Sequence, residues 1–167
     1  MRGTMALVLA AMLLVAGCAT GGGKTAASEP AVTGTKRGPV EGGPATVIEV
    51  ENFKLTKAKV IDLAGAGGGK AVVFTDEAAE AEYTVPALPK GTYDVVIFGV
   101  GQSDREDAVY IRVAGQSEER VFPDEWKKLL PFRAVRFTQP DNGPCKIVLS
   151  FGEENVQLDR VEIRPGK

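Results

Sequence analysis

The chain has 167 residues and is almost neutral, with 20 Lys and Arg against 22 Asp and Glu. This balance argues against a nucleic-acid partner, which calls for a basic surface. The sequence contains no histidine, which excludes Ser-His-Asp and Cys-His nucleophiles, histidine general bases and His-ligated zinc. Two cysteines, Cys18 and Cys145, are too few for a cysteine-rich metal site or a disulfide framework. The composition therefore argues against an enzyme.

The first 17 residues have the features of a secretory signal peptide. Arg2 precedes an apolar run, Met5–Ala16, that is too short to cross about 30 Å of hydrocarbon. The segment from Leu14 to Cys18 resembles a bacterial lipobox, which implies cleavage before Cys18 and lipidation of that cysteine. The alternative is an ordinary signal peptide with an incidental cysteine. The resemblance predicts a protein anchored by lipid in the bacterial cell envelope, at the outer membrane if the organism has two membranes.

Residues 18–44 are predicted to be the lipidated cysteine and a flexible linker. Residues 19–44 hold seven Gly and three Pro, and no aromatic residue. Such a segment buries too little apolar area to offset the entropy lost on ordering, so we expect it to be disordered. A flexible chain of this length allows the next domain to move roughly 25–30 Å from the membrane.

Residues 45–167 are predicted to form an all-β domain. All eleven aromatic residues lie between Phe53 and Phe151, which places the core in this region. Short alternating runs are separated by turn signals, and Asp124–Leu130 allows one helical turn at most. The nine predicted strands are Thr46–Glu51, Ala71–Phe74, Ala81–Val85, Thr92–Val100, Ala108–Val113, Glu119–Phe122, Ala134–Thr138, Cys145–Phe151 and Leu158–Arg164. This pattern indicates a two-sheet sandwich or jelly roll.

Two of these strands carry more specific expectations. Thr92–Val100 is apolar on both faces, as a central strand is. Cys145 alternates with apolar residues of its strand, which predicts a buried small hydrophobic side chain. The alternative for Cys145 is an intermolecular disulfide in an oxidising envelope.

Three carboxylates occupy unusual positions in the predicted strands. Glu49 and Glu51 share one face of the first strand, and Asp159 is in phase with the apolar residues of the last strand. An inward carboxylate is costly unless it is paired or binds a cation. Without histidine, calcium is the simplest partner, since it takes six to eight hard oxygen ligands.

The same spacing allows an alternative without a metal. Glu49 and Glu51 would then face water, with Ile48 and Val50 in the core. Asp159 would pair with an arginine such as Arg136. Spacing alone favours neither interpretation.

Five segments, taken in order, resemble carbohydrate-binding modules of families six and thirty-five. Ile48–Glu51 resembles their opening E-x-E strand, and Gly68–Asp76 resembles a Gly-Gly turn leading into an aromatic strand. Glu82–Pro86 and Pro89–Val95 resemble the Y-x-V and P-x-G-x-Y-x-V strands, and Leu158–Ile163 the closing L-D-x-I-E-I strand. The resemblance covers nearly all of residues 45–167 and implies a galactose-binding-like jelly roll.

The resemblance also implies a metal site and a sugar cleft. In the family the opening glutamates and the closing aspartate, here Glu49, Glu51 and Asp159, hold a structural calcium. The sugar cleft uses two aromatics and an amide, which correspond to Phe74, Trp126 and Gln157. Phenylalanine stands at a usual tyrosine position and glutamine at a usual asparagine position. The arginine frequent after the central strand is absent.

Two functions from different classes follow. The first is a lipid-anchored, non-catalytic, lectin-like module for envelope or extracellular glycans, which requires an exposed Trp126 facing Phe74 and Gln157 across a groove. The second is a structural or protein-partner-binding envelope lipoprotein that keeps the fold without a sugar site, and it allows Trp126 to be buried. Hydrolysis is disfavoured because a domain of this size leaves little room for a deep catalytic cleft.

Overall fold

The computed structural model describes residues 45–103 and 107–167, so the predicted signal peptide, Cys18 and the linker lie outside the described residues. Within these ranges the chain forms twelve β-strands and a 3-10 turn at Val50–Asn52, and it has no α-helix. The strands are β1 (Thr46–Glu49), β2 (Lys54–Thr56), β3 (Ala58–Asp62), β4 (Lys70–Phe74), β5 (Glu80–Leu88), β6 (Gly91–Val100), β7 (Val109–Val113), β8 (Glu119–Val121), β9 (Leu130–Pro131), β10 (Val135–Gln139), β11 (Gly143–Phe151) and β12 (Gln157–Pro165). No helix in these ranges is long and apolar enough to cross a membrane.

The strands form two antiparallel sheets that pack on one hydrophobic core. The first sheet has the order β10-β6-β12-β4-β3, with β1 also paired to β12 and β9 to β6. The second sheet has the order β2-β5-β11-β7-β8. Buried residues of both sheets make a single core cluster. The predicted all-β jelly-roll sandwich is confirmed.

The burial of each strand follows from its position in a sheet. β6 lies between β10 and β12, and its residues Val95, Val96 and Ile97 are all buried. This confirms that the run with two apolar faces is a central strand. β7 and β10 keep alternate residues buried, as strands do when one face meets the core and the other meets solvent.

All nine predicted strands are present, and three further strands, β2, β3 and β9, were not predicted. β2 and β3 are edge strands in which no residue is fully buried, so their sequences show no clear alternation. β9 is two residues long and pairs with β6 beside the segment where one helical turn at most was expected. The first strand ends at Glu49 because the 3-10 turn follows directly.

Cys145 in β11 is fully buried and has a free thiol. Burial raises the pKa of this thiol, because the thiolate would lose its hydration. The predicted role as a small buried hydrophobic side chain is confirmed. A thiol in this position is not accessible for the alternative intermolecular disulfide.

Gly99 of β6 provides a test of the packing between the central strands. A Cβ at this position would lie 2.5 Å from the carbonyl oxygen of Gln157 and 3.2 Å from the ring of Phe132. We expect Gly99→Ala to destabilise the fold by about 1–3 kcal/mol, as overpacking does. Chemical denaturation measures the change.

Gly143→Ala is the matched control, because a Cβ there meets no atom within 4 Å. We expect this variant to remain within about 0.5 kcal/mol of wild type. Equal stability of the two variants would contradict the close packing of β6 against β12.

Candidate functional site

The last strand, β12, changes its neighbour at Asp159. Gln157 and Leu158 pair with β4, whereas residues from Arg160 onward pair with β1. On the other side, the register against β6 shifts between Leu158 and Arg160, so Asp159 lies in a β-bulge. Both Leu158 and Val161 therefore face the core, and the simple alternation that predicted an inward Asp159 is broken. Asp159 is nevertheless buried, with 0% of its surface exposed.

Asp159 has two close partners. Its Oδ1 accepts a hydrogen bond of 2.9 Å from the backbone N–H of Gly67, in the loop between β3 and β4. Its Oδ2 lies 2.6 Å from Nη1 of Arg160. The alternative pairing of Asp159 with Arg136 is wrong, because Arg136 makes a two-point ion pair with Asp94 at 2.8 Å.

Glu49 and Glu51 enter the same region from the end of β1 and the 3-10 turn. Ile48 and Val50 are in the core, as the metal-free alternative predicted. The two glutamates do not simply face water, however. The Oε2 atoms of both are buried and have no hydrogen-bond partner among the described residues. Buried carboxylate oxygens without a partner are costly.

The glycine loop between β3 and β4 packs directly against these carboxylates. A Cβ at Gly67 would lie 2.5 Å from Oε1 of Glu49, and one at Gly68 would lie 3.0 Å from Oε1 of Glu51. Because neither glycine carries a Cβ, the backbone and the two glutamate side chains can come this close together. Because Gly67 also donates to Asp159, one loop contacts all three side chains. We call Glu49, Glu51 and Asp159 the carboxylate cluster.

Burial and like charges both act on the carboxylate cluster. Burial raises the pKa of Glu49, and the charges of Asp159 and Glu51 raise it further, while Arg160 acts in the opposite direction. The structure thus brings the three predicted metal ligands to one loop. No three His, Cys, Asp or Glu side chains of residues 45–103 and 107–167 form a ready-made metal cage, however. Asp159 is already held by Arg160, and both Glu49 and Glu51 are directed at the glycine loop.

The three residues predicted to form the sugar cleft differ in how exposed they are. Trp126 is 47% exposed, as the lectin interpretation requires. Phe74 is only 5% exposed and belongs to the core cluster. Gln157 is half-buried at the start of β12, between Val73 of β4 and Val100 of β6.

Trp126 lines a groove of about 240 Å³, which we call the Trp126 groove. Phe122, 39% exposed, is also part of its wall, and the guanidinium of Arg133 lies 5.0 Å from the Phe122 ring centroid. The lining residues are Ser103, Asp107, Phe122, Pro123, Asp124, Glu125 and Trp126. This groove combines aromatic faces with carboxylate acceptors, which is the composition of a site for a polar ligand with apolar faces.

The Trp126 loop is held by a strained residue. Lys127 adopts a positive φ of 57° and donates its backbone N–H to the carbonyl of Gly101 at 2.6 Å. A non-glycine residue in this conformation persists only where its surroundings fix it. This hydrogen bond fixes the backbone directly after Trp126.

A second groove of about 510 Å³ lies next to the end of β4. Its lining residues are Val73, Phe74, Thr75, Asp76, Glu77, Phe151, Glu154 and Asn155. Phe74 belongs to this groove and Trp126 to the other, and Gln157 lines neither of the two. The structure thus does not place the three predicted sugar-binding residues around one groove.

Three residues that matter to these sites were missed from the sequence. Arg160 pairs with Asp159, and its only sequence signal is a basic residue directly after the inward aspartate. Asp107 is buried and accepts a hydrogen bond from the backbone N–H of Ser103, in a stretch whose composition suggests a solvated turn. Phe122 was assigned to a strand, and nothing in its pattern distinguishes an exposed aromatic from a core one.

Comparison with known proteins identifies the architecture. No family model matches the chain, and no curated protein matches its sequence. Among solved structures, the family 35 carbohydrate-binding module from Clostridium thermocellum is similar at a TM-score of 0.62 and 14% identity, over 74% of this chain and 100% of that one. The family 35 module from Paenibacillus barcinonensis is similar at 0.58 and 21%, over 72% and 99%. This chain has the jelly-roll fold of carbohydrate-binding modules.

The fold also occurs within enzymes. An exo-β-1,3-galactanase from Phanerochaete chrysosporium, solved with β-1,3-galactotriose, is similar at a TM-score of 0.62 and 18% identity. The similarity covers 72% of this chain and 29% of the galactanase, so the present chain spans less than a third of that enzyme. The carbohydrate-binding-module fold is therefore found both as a separate module and as one part of a larger protein.

Glu49→Gln tests the electrostatics of the carboxylate cluster in the absence of metal. The raised pKa of Glu49 means that folding favours its protonated form; this contribution is present below the ordinary pKa of 4.5 and is lost as the pH rises through the higher folded value. In a chelating buffer at pH 7, the neutral glutamine should therefore raise the melting temperature by a few degrees. The gain should shrink on acidification. Calorimetry across pH measures both.

Glu80→Gln, at an exposed position of β5, is the control and should show no such pH-dependent gain. A lower melting temperature for Glu49→Gln in chelator at pH 7 would contradict the repulsive character of the carboxylate cluster.

Proposed function

We propose that residues 45–167 form a non-catalytic carbohydrate-binding module, which a lipid on Cys18 presents at the bacterial cell envelope. The observation that carries the proposal is the Trp126 groove, an exposed indole beside carboxylates on the fold of carbohydrate-binding modules. Residues 18–44 act as the tether, and the lipidated cysteine holds the protein to the membrane. Two or three acyl chains, each contributing about 0.8 kcal/mol per buried methylene, give stable anchoring.

The chemistry of the Trp126 groove suits a pyranose. The exposed ring of Trp126 offers a flat apolar surface for the C–H face of a sugar. Asp124 and Glu125, which line the same groove, can accept hydrogen bonds from sugar hydroxyls. Carboxylates at this place repel acidic sugars, so the proposal favours neutral or amino sugars over uronic acids.

The proposal assigns binding and no catalysis to this domain. Modules that are similar over 99–100% of their own length support a role as a separate binding unit.

Calcium is the proposed partner of the carboxylate cluster. The residues fit a hard cation: the donors are all oxygens, and the Oε2 atoms of Glu49 and Glu51 are buried without a partner. Glu49, Glu51 and Asp159 would hold the ion, with small side-chain movements closing them around it. The ion would supply the positive charge that offsets their repulsion. Its role is structural, because it would join β1, β12 and the glycine loop.

A second candidate function is that of an envelope lipoprotein that binds a protein partner and has no sugar site. It is favoured by one observation, the separation of Phe74 and Gln157 from the Trp126 groove. In this case the exposed rings of Trp126 and Phe122 would form a protein contact. The two functions differ in what Trp126 binds, and the following experiment separates them.

Trp126→Ala is expected to lower affinity for glycans by about tenfold or more, because it removes the stacking surface, whereas Trp126→Phe should retain most of the binding. The purified protein is first applied in millimolar calcium to an array of neutral, amino and acidic glycans. Titration of the bound glycans with each variant then gives the affinities.

Val60→Ala is the control, since Val60 on β3 is also 47% exposed and lies outside the Trp126 groove. Glycan binding that survives Trp126→Ala would place the sugar elsewhere. A wild-type protein that binds no glycan on the array would favour the protein-partner function.

Asp159→Ala tests the proposed calcium site. The variant removes the acceptor of the Gly67 N–H and of Nη1 of Arg160, and we expect a loss of about 1–3 kcal/mol in chelator. Calcium at about one hundred times its Kd should stabilise wild type by roughly 2.7 kcal/mol and should not stabilise Asp159→Ala. Calorimetry with and without a chelator measures both effects.

Asp62→Ala, at an exposed position of β3, should keep the full response to calcium. If chelation leaves the melting temperature of wild type unchanged, the calcium proposal is wrong.

A further inference from the structure

We infer that Arg160 is a positioning residue that sets the affinity of the carboxylate cluster for a divalent cation. In the metal-free protein its guanidinium neutralises Asp159, and a bound cation must take its place on that carboxylate. The inference rests on the proposed calcium site and adds to it a residue that competes with the ion.

Arg160 is fixed by contacts on several sides. Nη1 lies 2.6 Å from Oδ2 of Asp159, and Nε donates to Oε1 of Glu162 at 3.0 Å. The guanidinium carbon lies 3.8 Å from the ring centroid of Phe98 on the neighbouring strand β6. Arg160 is also the register partner of Glu49 where β1 pairs with β12. An arginine held this way loses little further entropy on pairing, so its contact with Asp159 is persistent.

One divalent cation would neutralise the net charge of the carboxylate cluster and the side chains around it. Glu49, Glu51, Asp159 and the neighbouring Glu162 carry four negative charges when ionised, and Arg160 and Arg164 carry two positive charges. The remaining charge of −2 equals that neutralised by a single Ca²⁺. A site with this balance needs no second ion and no proton to become neutral.

Arg160 and a cation compete for the same oxygen. Oδ1 of Asp159 is used by the N–H of Gly67, and Oδ2 by Arg160. A cation that binds through Oδ2 must release this ion pair, while the bond from Arg160 to Glu162 can remain. Breaking the pair is part of the free energy of binding, so Arg160 stabilises the metal-free fold and weakens cation affinity.

Arg160→Gln separates these two effects. In chelator the variant should melt at a lower temperature than wild type, since buried Asp159 loses its counter-charge. Its calcium Kd should be about tenfold tighter, because no guanidinium has to be displaced. Calorimetric titration with calcium chloride measures Kd, and differential scanning calorimetry in chelator measures stability.

Two further variants complete the experiment. Arg164→Gln is the matched control, since Arg164 on the same strand also donates to Glu162; it should lower stability and leave the calcium Kd unchanged. Arg160→Lys keeps the charge but loses the planar fork, and its Kd should fall between those of wild type and Arg160→Gln. Arg160→Lys replaces Arg160→Gln as the test variant if Arg160→Gln does not fold.

The outcomes separate the proposed calcium site from the role of Arg160. If wild type binds calcium and the Arg160 variants bind it no more tightly, the inference is overturned while the calcium site stands. If wild type binds no calcium, both the proposed site and the role of Arg160 are overturned. The inference is supported if calcium binds more tightly to the two Arg160 variants than to wild type, and no more tightly to Arg164→Gln.

Discussion

The pairing of β1 with β12 brings three carboxylates from the two ends of the domain to one loop, and their repulsion is the constraint on which the surrounding structure depends. β12 bulges at Asp159, where its neighbour changes from β4 to β1. The bulge leaves a charged side chain at a buried position. The glycine loop must come close enough to donate from Gly67. Arg160 from the same strand offsets part of the negative charge. Each of these features would be unfavourable without the others.

The pairing of buried carboxylates with arginines continues along β12 beyond the carboxylate cluster. Burial alone would raise the pKa of Glu162, but hydrogen bonds from Arg164 and Arg160 outweigh burial and lower it. Glu162 therefore stays charged and holds Arg160 in place from the side opposite Asp159. Arg160 in turn contacts two carboxylates, those of Asp159 and Glu162. The carboxylate cluster is thus stabilised by strand alternation, which places residues 160, 162 and 164 on one face.

Alternation of apolar residues was enough to predict the sandwich, because nine of the strands have one or both faces in the core. It did not predict β2 and β3, which lie at sheet edges and bury no residue fully. The identity of the carboxylate cluster could also be predicted, since an E-x-E strand and an inward aspartate stand out. Its partner Arg160 could not, because a β-bulge has no sequence signal and shifts every later residue by one position. Phe74 was assigned to a sugar cleft and lies in the core, a distinction that period-two patterning cannot make.

In the proposed function, stability and recognition are carried by different parts of this domain. The carboxylate cluster comes from β1, the 3-10 turn and β12, and it shares no residue with either groove. The Trp126 groove is formed by loop residues, and its shape is fixed locally by the bond from Lys127 to Gly101. Substitutions in the Trp126 groove can therefore alter its surface without disturbing the carboxylate cluster. This separation is compatible with a chain that keeps the fold of known modules at 14–21% identity. The buried charges require a fixed backbone, and the same backbone positions the loops.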